Sequence, residues 1–244
     1  MLLAFLSDIH GNLPALKSAL ADAKRRGADK IYCAGDIVGY GPFPDEVCKL
    51  LAEENIATIM GNYDVKALAA LHRPEDFKKS MKPGKWKILN WTRKHISSTS
   101  AKFLASLPDC RRETLASQFR LLMVHGSPLS VEDTIYPSIT RHGLERKLSG
   151  EKTDIIVCGH THIPFIKHVA GMTVVNCGSA GQPVDGDHRP SYALINIEKE
   201  GSPSVRIIRF AYPYEELIKA IKDSSLPRGL VNDFRNGDKK GETT

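Results

Sequence analysis

Carboxylates and imidazoles stand directly after several short apolar runs in this sequence, and both groups are common ligands of divalent metal ions. The first pair is Asp8 and His10, which follow the apolar residues 2–6. Side chains alternate across an extended strand, so residues two positions apart are expected to point the same way and to bind one cation. Because an isolated Asp-x-His pair is more often an ordinary turn, the assignment needs further ligands elsewhere in the chain.

The same succession of apolar run and polar side chain recurs along the chain. The runs 30–34, 56–60, 119–124 and 154–158 are followed respectively by Asp36, Asn62, His125 and the pair His160 and His162. Four of the nine histidines therefore follow or end apolar strands, together with two aspartates and an asparagine. An asparagine or a histidine alone is usually a turn or structural residue. Coincidence is the poorer explanation for the whole set, and the sequence predicts a metal site.

These ligands require elements that bring several strand ends together. The first two apolar runs lead through turns into helical patterns, one with the stripe Leu13, Leu16 and Leu20 and one that begins at Pro44. In open α/β sheets, ligands bind beyond the carboxyl ends of the strands, so we expect the polar side chains at one edge. Later strand patterns predict a hairpin and a second sheet, at residues 165–168, 172–176, 192–197 and 204–210.

Length and composition indicate one soluble domain. The 244 residues, 41% of them apolar, suffice for one large core. The opening apolar run is too short for a signal peptide and lacks a basic leader, and no stretch is long enough to span a membrane. Five cysteines without close pairing fit reduced thiols. We therefore predict a cytoplasmic protein without a membrane partner.

Positive charge is concentrated in one part of the chain. Residues 65–107 look helical and interrupt the strand-helix rhythm, so we expect an insertion over the site. Between Lys66 and Arg112 there are twelve Lys or Arg and three Asp or Glu, whereas the whole chain has a net charge of +6. A solvated helical surface explains most of these side chains. The functional interpretation is that several of them attract an anionic, phosphate-bearing substrate.

The ordered segments DxH, GD, GN, VHG and GHTH resemble the calcineurin-like metallophosphoesterase superfamily. The segments GDIVGYGPFP, HGSP and CGSAGQPVDGD further resemble its small prokaryotic phosphodiesterase-like branch. The resemblance implies an α/β fold, a four-layer α/β/β/α sandwich with a helical insertion at about 65–107. The domain would span residues 1–235, and residues 236–244 would form a disordered tail.

The resemblance also implies a binuclear metal centre between the two sheets. The first ion would bind Asp8, His10, Asp36 and His162, and the second would bind Asp36, Asn62, His125 and His160, with Asp36 as the bridge. Imidazole, carboxylate and amide ligands without thiolate suit manganese, iron, zinc, cobalt or nickel. Two such ions lower the pKa of a shared water, so hydroxide can attack phosphorus near neutral pH.

The implied function is that of a metal-dependent phosphoesterase, a hydrolase of phosphodiester or phosphomonoester bonds in small phosphorylated or nucleotide substrates. The candidate catalytic residues are Asp36, Asn62, Tyr63 and His125. One alternative is a dinucleoside polyphosphate hydrolase, because the basic insertion contains tryptophans that could stack on a second nucleotide. The other is an interaction scaffold with weak catalysis, which the intact ligand set argues against. Nucleic acid is not the favoured partner, and the sequence leaves the oligomeric state open.

Tyr63 is a departure from the pattern of the family. Members commonly have histidine after the GN pair, and that histidine is thought to protonate the leaving group. A tyrosine has a reference pKa of about 10 against about 6.5 for histidine, so it is a poorer general acid near neutral pH. Tyr63 is equally open to a second interpretation, as a residue that only packs or stacks. The sequence therefore leaves the identity of the general acid open.

Overall fold

The computed structural model describes residues 1–116, 119–148, 150–198 and 203–238. These residues form two five-stranded sheets that lie face to face and are covered by helices. In chain order the elements are β1 (Leu2–Leu6), α1 (Leu13–Arg25), β2 (Lys30–Cys33), α2 (Pro44–Glu53), β3 (Ala57–Thr58), α3 (Asn62–His72), α4 (Pro74–Ser80), α5 (Pro83–His95), α6 (Ser98–Ala105), β4 (Cys110–Leu115), β5 (Phe119–Val124), α7 (Arg141–Lys147), β6 (Ile155–Cys158), β7 (Phe165–Val169), β8 (Met172–Asn176), β9 (Ser191–Asn196), β10 (Ser204–Arg209), α8 (Tyr214–Asp223) and α9 (Leu230–Asn236).

Both sheets are mixed, and each has parallel strands at its centre. The first has the order β10-β9-β1-β2-β3, in which β1, β2 and β3 are parallel. The second has the order β4-β5-β6-β8-β7, in which β5, β6 and β8 are parallel. The carboxyl ends of parallel neighbours lie at one edge of a sheet, and connecting loops there can converge on a ligand. The topology thus provides two such edges.

Alternation along β1 explains the layering. Leu3 and Phe5 belong to the core between the two sheets, whereas Ala4 and Leu6 belong to the core under the helices that include α1 and α2. All four side chains are fully buried. A strand that is apolar on both faces needs a layer on each side. The second sheet is covered on its outer face by residues such as Leu144 of α7. The predicted four-layer α/β/β/α sandwich is confirmed.

Several predicted elements differ from the observed ones. The apolar run 56–60 forms only the two-residue strand β3, and the first helix of the predicted insertion begins at Asn62, inside the GN motif. Strand β4 and helices α7 and α9 were not predicted. Asn236 ends α9, and the next residue, Gly237, donates its N–H to Asp233. The proposed tail beyond residue 238 lies outside the described residues.

No helix in the described parts of the chain is long and apolar enough to cross a membrane. The predicted insertion consists of helices α3 to α6, which pack on α2 and on one another rather than forming a separate core. Leu89 and Leu104 from this region are fully buried in the core that also contains Leu16 of α1.

Asp22 joins helix α1 to strand β9. Its carboxylate accepts hydrogen bonds from Nε of Arg26 at 2.7 Å and from the hydroxyl of Tyr192 at 2.7 Å, and it also pairs with Arg25. Burial acts to raise the pKa of Asp22, but the hydrogen bonds from Arg26 and Tyr192 outweigh it and lower the pKa below its usual value. A depressed pKa means that the ionised form stabilises the fold.

We predict that Asp22→Asn lowers the free energy of unfolding by about 1–2 kcal/mol near neutral pH, because charged hydrogen bonds are lost. The folded pKa of Asp22 lies below the unfolded value, so its contribution is complete above about pH 4 and declines as pH falls. Urea unfolding at several pH values would measure the difference between the two proteins.

The matched control is Glu54→Gln, which removes one partner of the exposed pair with Lys24. Exposed pairs contribute little, so the control should stay within about 0.5 kcal/mol of the wild type. A difference for Asp22→Asn that does not shrink in acid would contradict the assignment.

Candidate metal centre

The predicted ligands come together where the loops that follow β1, β2 and β3 meet the loops that follow β5 and β6. The ligand residues lie just beyond the ends of these strands. Asp8, His10 and Asp36 have φ values of 53°, 49° and 53°, and His160 and His162 have values of 66° and 59°. Left-handed backbone costs an L-residue roughly 1–2 kcal/mol, so the surrounding packing must impose it.

The placement of Asp8 and His10 therefore differs from the prediction of strand alternation. Strand β1 ends at Leu6, and both residues lie in the following loop. The N–H of Asp8 donates to the carbonyl of Gly35 and the N–H of His10 donates to the carbonyl of Asp36, both at 2.9 Å. The loops after β1 and β2 thus support each other, and this pairing brings the two side chains to one place.

The first ligand cluster consists of Asp8, His10 and His162, whose ligand atoms lie within 4.8 Å of one another. His162 Nε2 is 3.3 Å from Asp8 Oδ1 and 3.1 Å from His10 Nε2. All three side chains are buried. Asp8 and His10 come from the loop after β1 of one sheet and His162 comes from the loop after β6 of the other, so the cluster depends on the sandwich.

The second ligand cluster consists of Asp36, His125 and His160, again within 4.8 Å of one another. Asn62 completes it, because its Oδ1 lies 3.1 Å from His125 Nε2 and 3.1 Å from His160 Nδ1. Asn62 stands at the first turn of α3, directly after Gly61.

Asp36 lies between the two clusters. Its Oδ2 is 3.5 Å from His10 Nε2 and 3.5 Å from His125 Nε2. Its other oxygen accepts the N–H of Tyr63 at 2.7 Å. One carboxylate oxygen is thereby held in place while the other faces both clusters.

The tautomers of the histidines can be read from their partners. Nδ1 of His10 contacts the carbonyl of Val38, and Nδ1 of His125 contacts the carbonyl of Ala34. Nδ1 of His162 contacts the carbonyl of Gln182. A carbonyl oxygen can only accept, so each Nδ1 carries a proton, and in the neutral ring each Nε2 presents a lone pair.

Lone pairs consequently face one another inside both clusters. The Nε2 atoms of His10 and His162 approach each other to 3.1 Å, and His125 Nε2 faces the amide oxygen of Asn62. Such acceptors repel unless a cation or a proton lies between them. Carbonyl partners on the far ring nitrogen are also the usual support of metal-binding histidines. The donor set therefore fits divalent transition metals.

The electrostatics of the site favour positive charge in the same place. Burial raises the pKa of Asp8 to about 7, with the charge of Asp36 acting in the same direction. Burial also acts to raise the pKa of Asp36, but the positive charge of His125 outweighs it and holds the pKa well below its usual value. Burial opposes protonation of His125, yet the carboxylate of Asp36 raises its pKa to about 10.

Close backbone contacts leave no room for side chains beside the ligands. A Cβ at Gly61 would lie 2.3 Å from Asp36 Oδ1, and one at Gly159 would lie 2.4 Å from Asp8 Oδ2. Both distances are far below contact distance, so the glycines of the GN and GHTH motifs are steric requirements of the ligand positions.

Asp64 was not among the predicted site residues, although the sequence shows it two positions after Asn62. It is fully buried and accepts the N–H groups of Ile37 and Val38 at 3.0 and 3.1 Å and that of Gly61 at 2.9 Å. Burial and the charge of Asp36 raise its pKa to about 7. Asp64 thus fixes the two loops that carry Asp36 and Asn62.

A cleft of about 370 Å³ opens over the clusters. Besides ligands, its lining includes three tyrosines, two lysines and one glutamate, which are Tyr40, Tyr63, Tyr136, Lys66, Lys85 and Glu132. Of these six, the sequence singled out Tyr63, and it placed both lysines in the basic region between Lys66 and Arg112. Among the described residues that line the cleft there is no tryptophan, since Trp86 packs on the helical core and Trp91 stacks on His95.

Tyr63 is buried at the wall of this cleft. Its hydroxyl lies 2.6 Å from the hydroxyl of Tyr40, and both rings meet the ring of His10 edge-on. Gly39, with φ of +95°, passes under Tyr63 so closely that an added Cβ would lie 2.7 Å from its ring. The loop before α2 is therefore shaped around a tyrosine at this position.

Comparisons with known proteins agree with this geometry. Residues 1–200 match the family model of the calcineurin-like phosphoesterase superfamily domain. An uncharacterized protein of Methanocaldococcus jannaschii is 32% identical, covering 94% of this chain and 95% of that protein. Phosphodiesterase YfcE of Escherichia coli is 24% identical, covering 80% and 88%. The crystal structure of a metallophosphoesterase from Sphaerobacter thermophilus has 29% identity and a TM-score of 0.78, covering 97% and 100%.

The match to the family model extends over most of the chain and includes every predicted ligand. The resemblance inferred from the order of the motifs is therefore confirmed. The chain belongs to the calcineurin-like phosphoesterase superfamily, a family of metal-dependent hydrolases that act on phosphoester bonds.

Proposed function

We propose that this protein hydrolyses phosphodiester or phosphomonoester bonds in small phosphorylated molecules, nucleotides included, with two divalent transition-metal ions. The observation that carries the proposal is the pair of buried ligand clusters that share one oxygen of Asp36. The predicted assignment gives one ion Asp8, His10, Asp36 and His162, and the other Asp36, Asn62, His125 and His160. Family membership supports the same reaction class.

When bound, two such ions supply Lewis-acid stabilisation of phosphoryl oxygens and a water of lowered pKa. The residues of the protein fix the positions of the metal ligands. Carbonyl partners hold His10, His125 and His162 in the tautomer that presents Nε2. The N–H of Tyr63 holds Asp36. No side chain in this arrangement needs to act as a nucleophile.

The residues of the cleft would bind those parts of the substrate that the metal ions do not contact. Lys85 adds positive charge beside the clusters and favours an anionic group there, whereas the charge of Lys66 is paired with that of Glu132. The Tyr63 hydroxyl donates to the Tyr40 hydroxyl at 2.6 Å, and it would exchange that partner in order to donate a hydrogen bond to a substrate oxygen. A hydrogen bond of this kind orients the leaving group, whereas full protonation requires a stronger acid.

The two alternatives receive less support. A dinucleoside polyphosphate hydrolase was favoured by tryptophans in the insertion, but neither tryptophan lines the cleft. The aromatic side chain available for stacking is Tyr136, which is 47% exposed. A protein that serves only as an interaction scaffold would gain nothing from the buried hydrogen-bond acceptors that face one another in the two ligand clusters. Metal analysis of the purified protein and a phosphate-release screen across monoesters, diesters and dinucleoside polyphosphates would decide between the three.

Asp36 lies between the two ligand clusters, so its substitution tests the proposed binuclear centre directly. Asp36→Asn should abolish turnover and weaken the binding of both ions, because a neutral amide replaces the charge shared by the two clusters. Metal content after dialysis, together with hydrolysis of an activated aryl diester, would measure both effects.

The matched control for this change is Asp154→Asn at the other end of the second sheet, where the carboxylate pairs with exposed Arg120. It should keep both metals and full activity. Two bound metals and near-normal turnover in Asp36→Asn would remove Asp36 from the bridging role.

A comparison of Lys85 with Lys87 tests whether the basic helical region attracts the anionic substrate. Of these two lysines, only Lys85 lines the cleft. Lys85→Gln should raise KM for highly charged substrates more than for a singly charged diester, and added salt should reduce the difference. Lys87→Gln is the control and should change neither value. If both substitutions raised KM equally, the effect would come from the overall positive charge of the surface and not from a lysine that lines the cleft.

The last prediction here concerns Tyr63. If no imidazole acid is present, rates should depend steeply on the pKa of the leaving group, and alkyl monoesters should react slowly. Tyr63→His should recover at most the roughly 10²–10⁴-fold that a positioned general acid contributes, and only for poor leaving groups. Rates across a leaving-group series at saturating metal would give the two slopes.

Tyr63→Phe serves as the control, since it keeps an aromatic ring on Gly39 and cannot donate a proton. Its slope should be at least as steep as that of the wild type. Equal slopes for wild type and Tyr63→His would show that another group protonates the leaving group or that protonation is not rate-limiting.

A further inference from the structure

Glu132 contributes a negative charge to a cleft that otherwise favours anions. Both oxygens of its carboxylate have partners. Oε1 lies 2.9 Å from Nζ of Lys66, and Oε2 accepts a hydrogen bond from Nδ2 of Asn62 at 3.2 Å. Glu132 thus touches a side chain of the second ligand cluster on one side and a cleft cation on the other.

The loop that carries Glu132 is held firmly. A Cβ at Gly126 would lie 2.3 Å from the carbonyl oxygen of Asp133, so the loop closes directly over this glycine. The hydroxyl of Ser127 donates to Asp133, whose carboxylate also pairs with Lys147. The backbone of residue 132 is fixed between these contacts, and its carboxylate cannot simply move away with a mobile loop.

Orientation of Asn62 does not by itself require a carboxylate. A neutral oxygen would accept the same N–H bond and would keep Oδ1 of Asn62 turned toward His125. A charge at this position repels a bound phosphate, and the repulsion grows with the charge of the phosphate. It also engages Lys66, which lies 5.4 Å from the centre of the Tyr63 ring and would otherwise face the substrate.

We infer that Glu132 and Lys66 form an opposed pair that selects substrates by charge. Glu132 disfavours dianionic phosphomonoesters relative to monoanionic phosphodiesters, and Lys66 partly offsets that effect. The pair accordingly favours phosphodiesters over phosphomonoesters at this site. This inference rests on the proposed phosphoesterase function and names two specificity-determining residues for it.

The charges of the substrates make the inference measurable. A phosphomonoester has a second pKa of about 6 and is a dianion at about pH 8, whereas a diester keeps a single charge. 4-Nitrophenyl phosphate and methyl 4-nitrophenyl phosphate release the same leaving group. The intrinsic reactivities of the two esters differ, but they are the same for every variant, so the change in the ratio of kcat/KM values between variants reports the discrimination by charge.

Glu132→Gln keeps the size of the side chain and an acceptor for Asn62 and removes the charge. It should raise the ratio of monoester to diester kcat/KM by about threefold to tenfold at low salt, as expected for one partly exposed charge. The increase should shrink as salt screens the site.

Lys66→Gln should change the same ratio in the opposite direction, because Glu132 is then no longer offset. Glu54→Gln, which breaks a surface pair that does not line the cleft, should leave the ratio within about twofold of wild type. A purely structural contact would shift both pair variants in the same direction or in neither. Either of those results would overturn the inference.

A binding measurement separates this inference from the proposed function. The manganese-loaded protein would be titrated with inorganic phosphate and with dimethyl phosphate. Glu132→Gln should tighten phosphate about threefold to tenfold relative to dimethyl phosphate, and Lys66→Gln should weaken it. If the wild type hydrolyses neither ester, the proposed function fails while these affinities still decide the inference. If the wild type is active and the relative affinities do not change, the inference alone fails.

Discussion

Three carboxylates share one buried site at the strand ends, and the rest of the structure accommodates their mutual repulsion. Asp8 and Asp64 are fully buried and Asp36 is 2% exposed. Several negative charges cannot be held together at low dielectric without compensation. Burial, together with the charge of Asp36, raises the pKa values of Asp8 and Asp64. Asp64 is compensated by three backbone N–H groups. Asp8 and Asp36 accept backbone N–H groups only from His160 and Tyr63 among these contacts, and their other oxygens face the histidines of the clusters, where cations are the natural compensation.

The sandwich is what allows this concentration of charge. A single parallel sheet offers loops from one edge, whereas here His125 and His160 come from one sheet and Asp36 and Asn62 from the other. The apolar core between the sheets, with members such as Phe5, holds both edges in register and excludes water from behind the ligands. The packed sandwich offsets the free-energy cost of the left-handed backbone at the ligand residues. Short loops without this support could not hold that conformation.

The layers and the ligand types were predictable from sequence because both depend on local pattern. Apolar runs that end in Asp, Asn or His mark strands and their ends, and β5 has the bounds that the run predicted. The backbone at Asp8 and His10 was not predictable, since it depends on hydrogen bonds to the loop after β2. Glu132 was equally hidden, because it lies 70 residues from Asn62 in sequence and no motif surrounds it. Pairs that meet only through tertiary packing leave no periodic signal.

The part of the chain beyond the match to the family model has a direct connection to the cleft. Helices α8 and α9 follow residue 200, and Leu217 and Phe234 from them belong to the same buried cluster as Tyr40 and Tyr63. The ligand clusters depend on contacts within residues 1–200, whereas the tyrosine pair also depends on these later helices. Substitution at the position after Asn62 therefore has consequences beyond acid strength. A smaller ring there would leave the cluster around Leu217 underpacked, and this links the identity of residue 63 to the C-terminal helices.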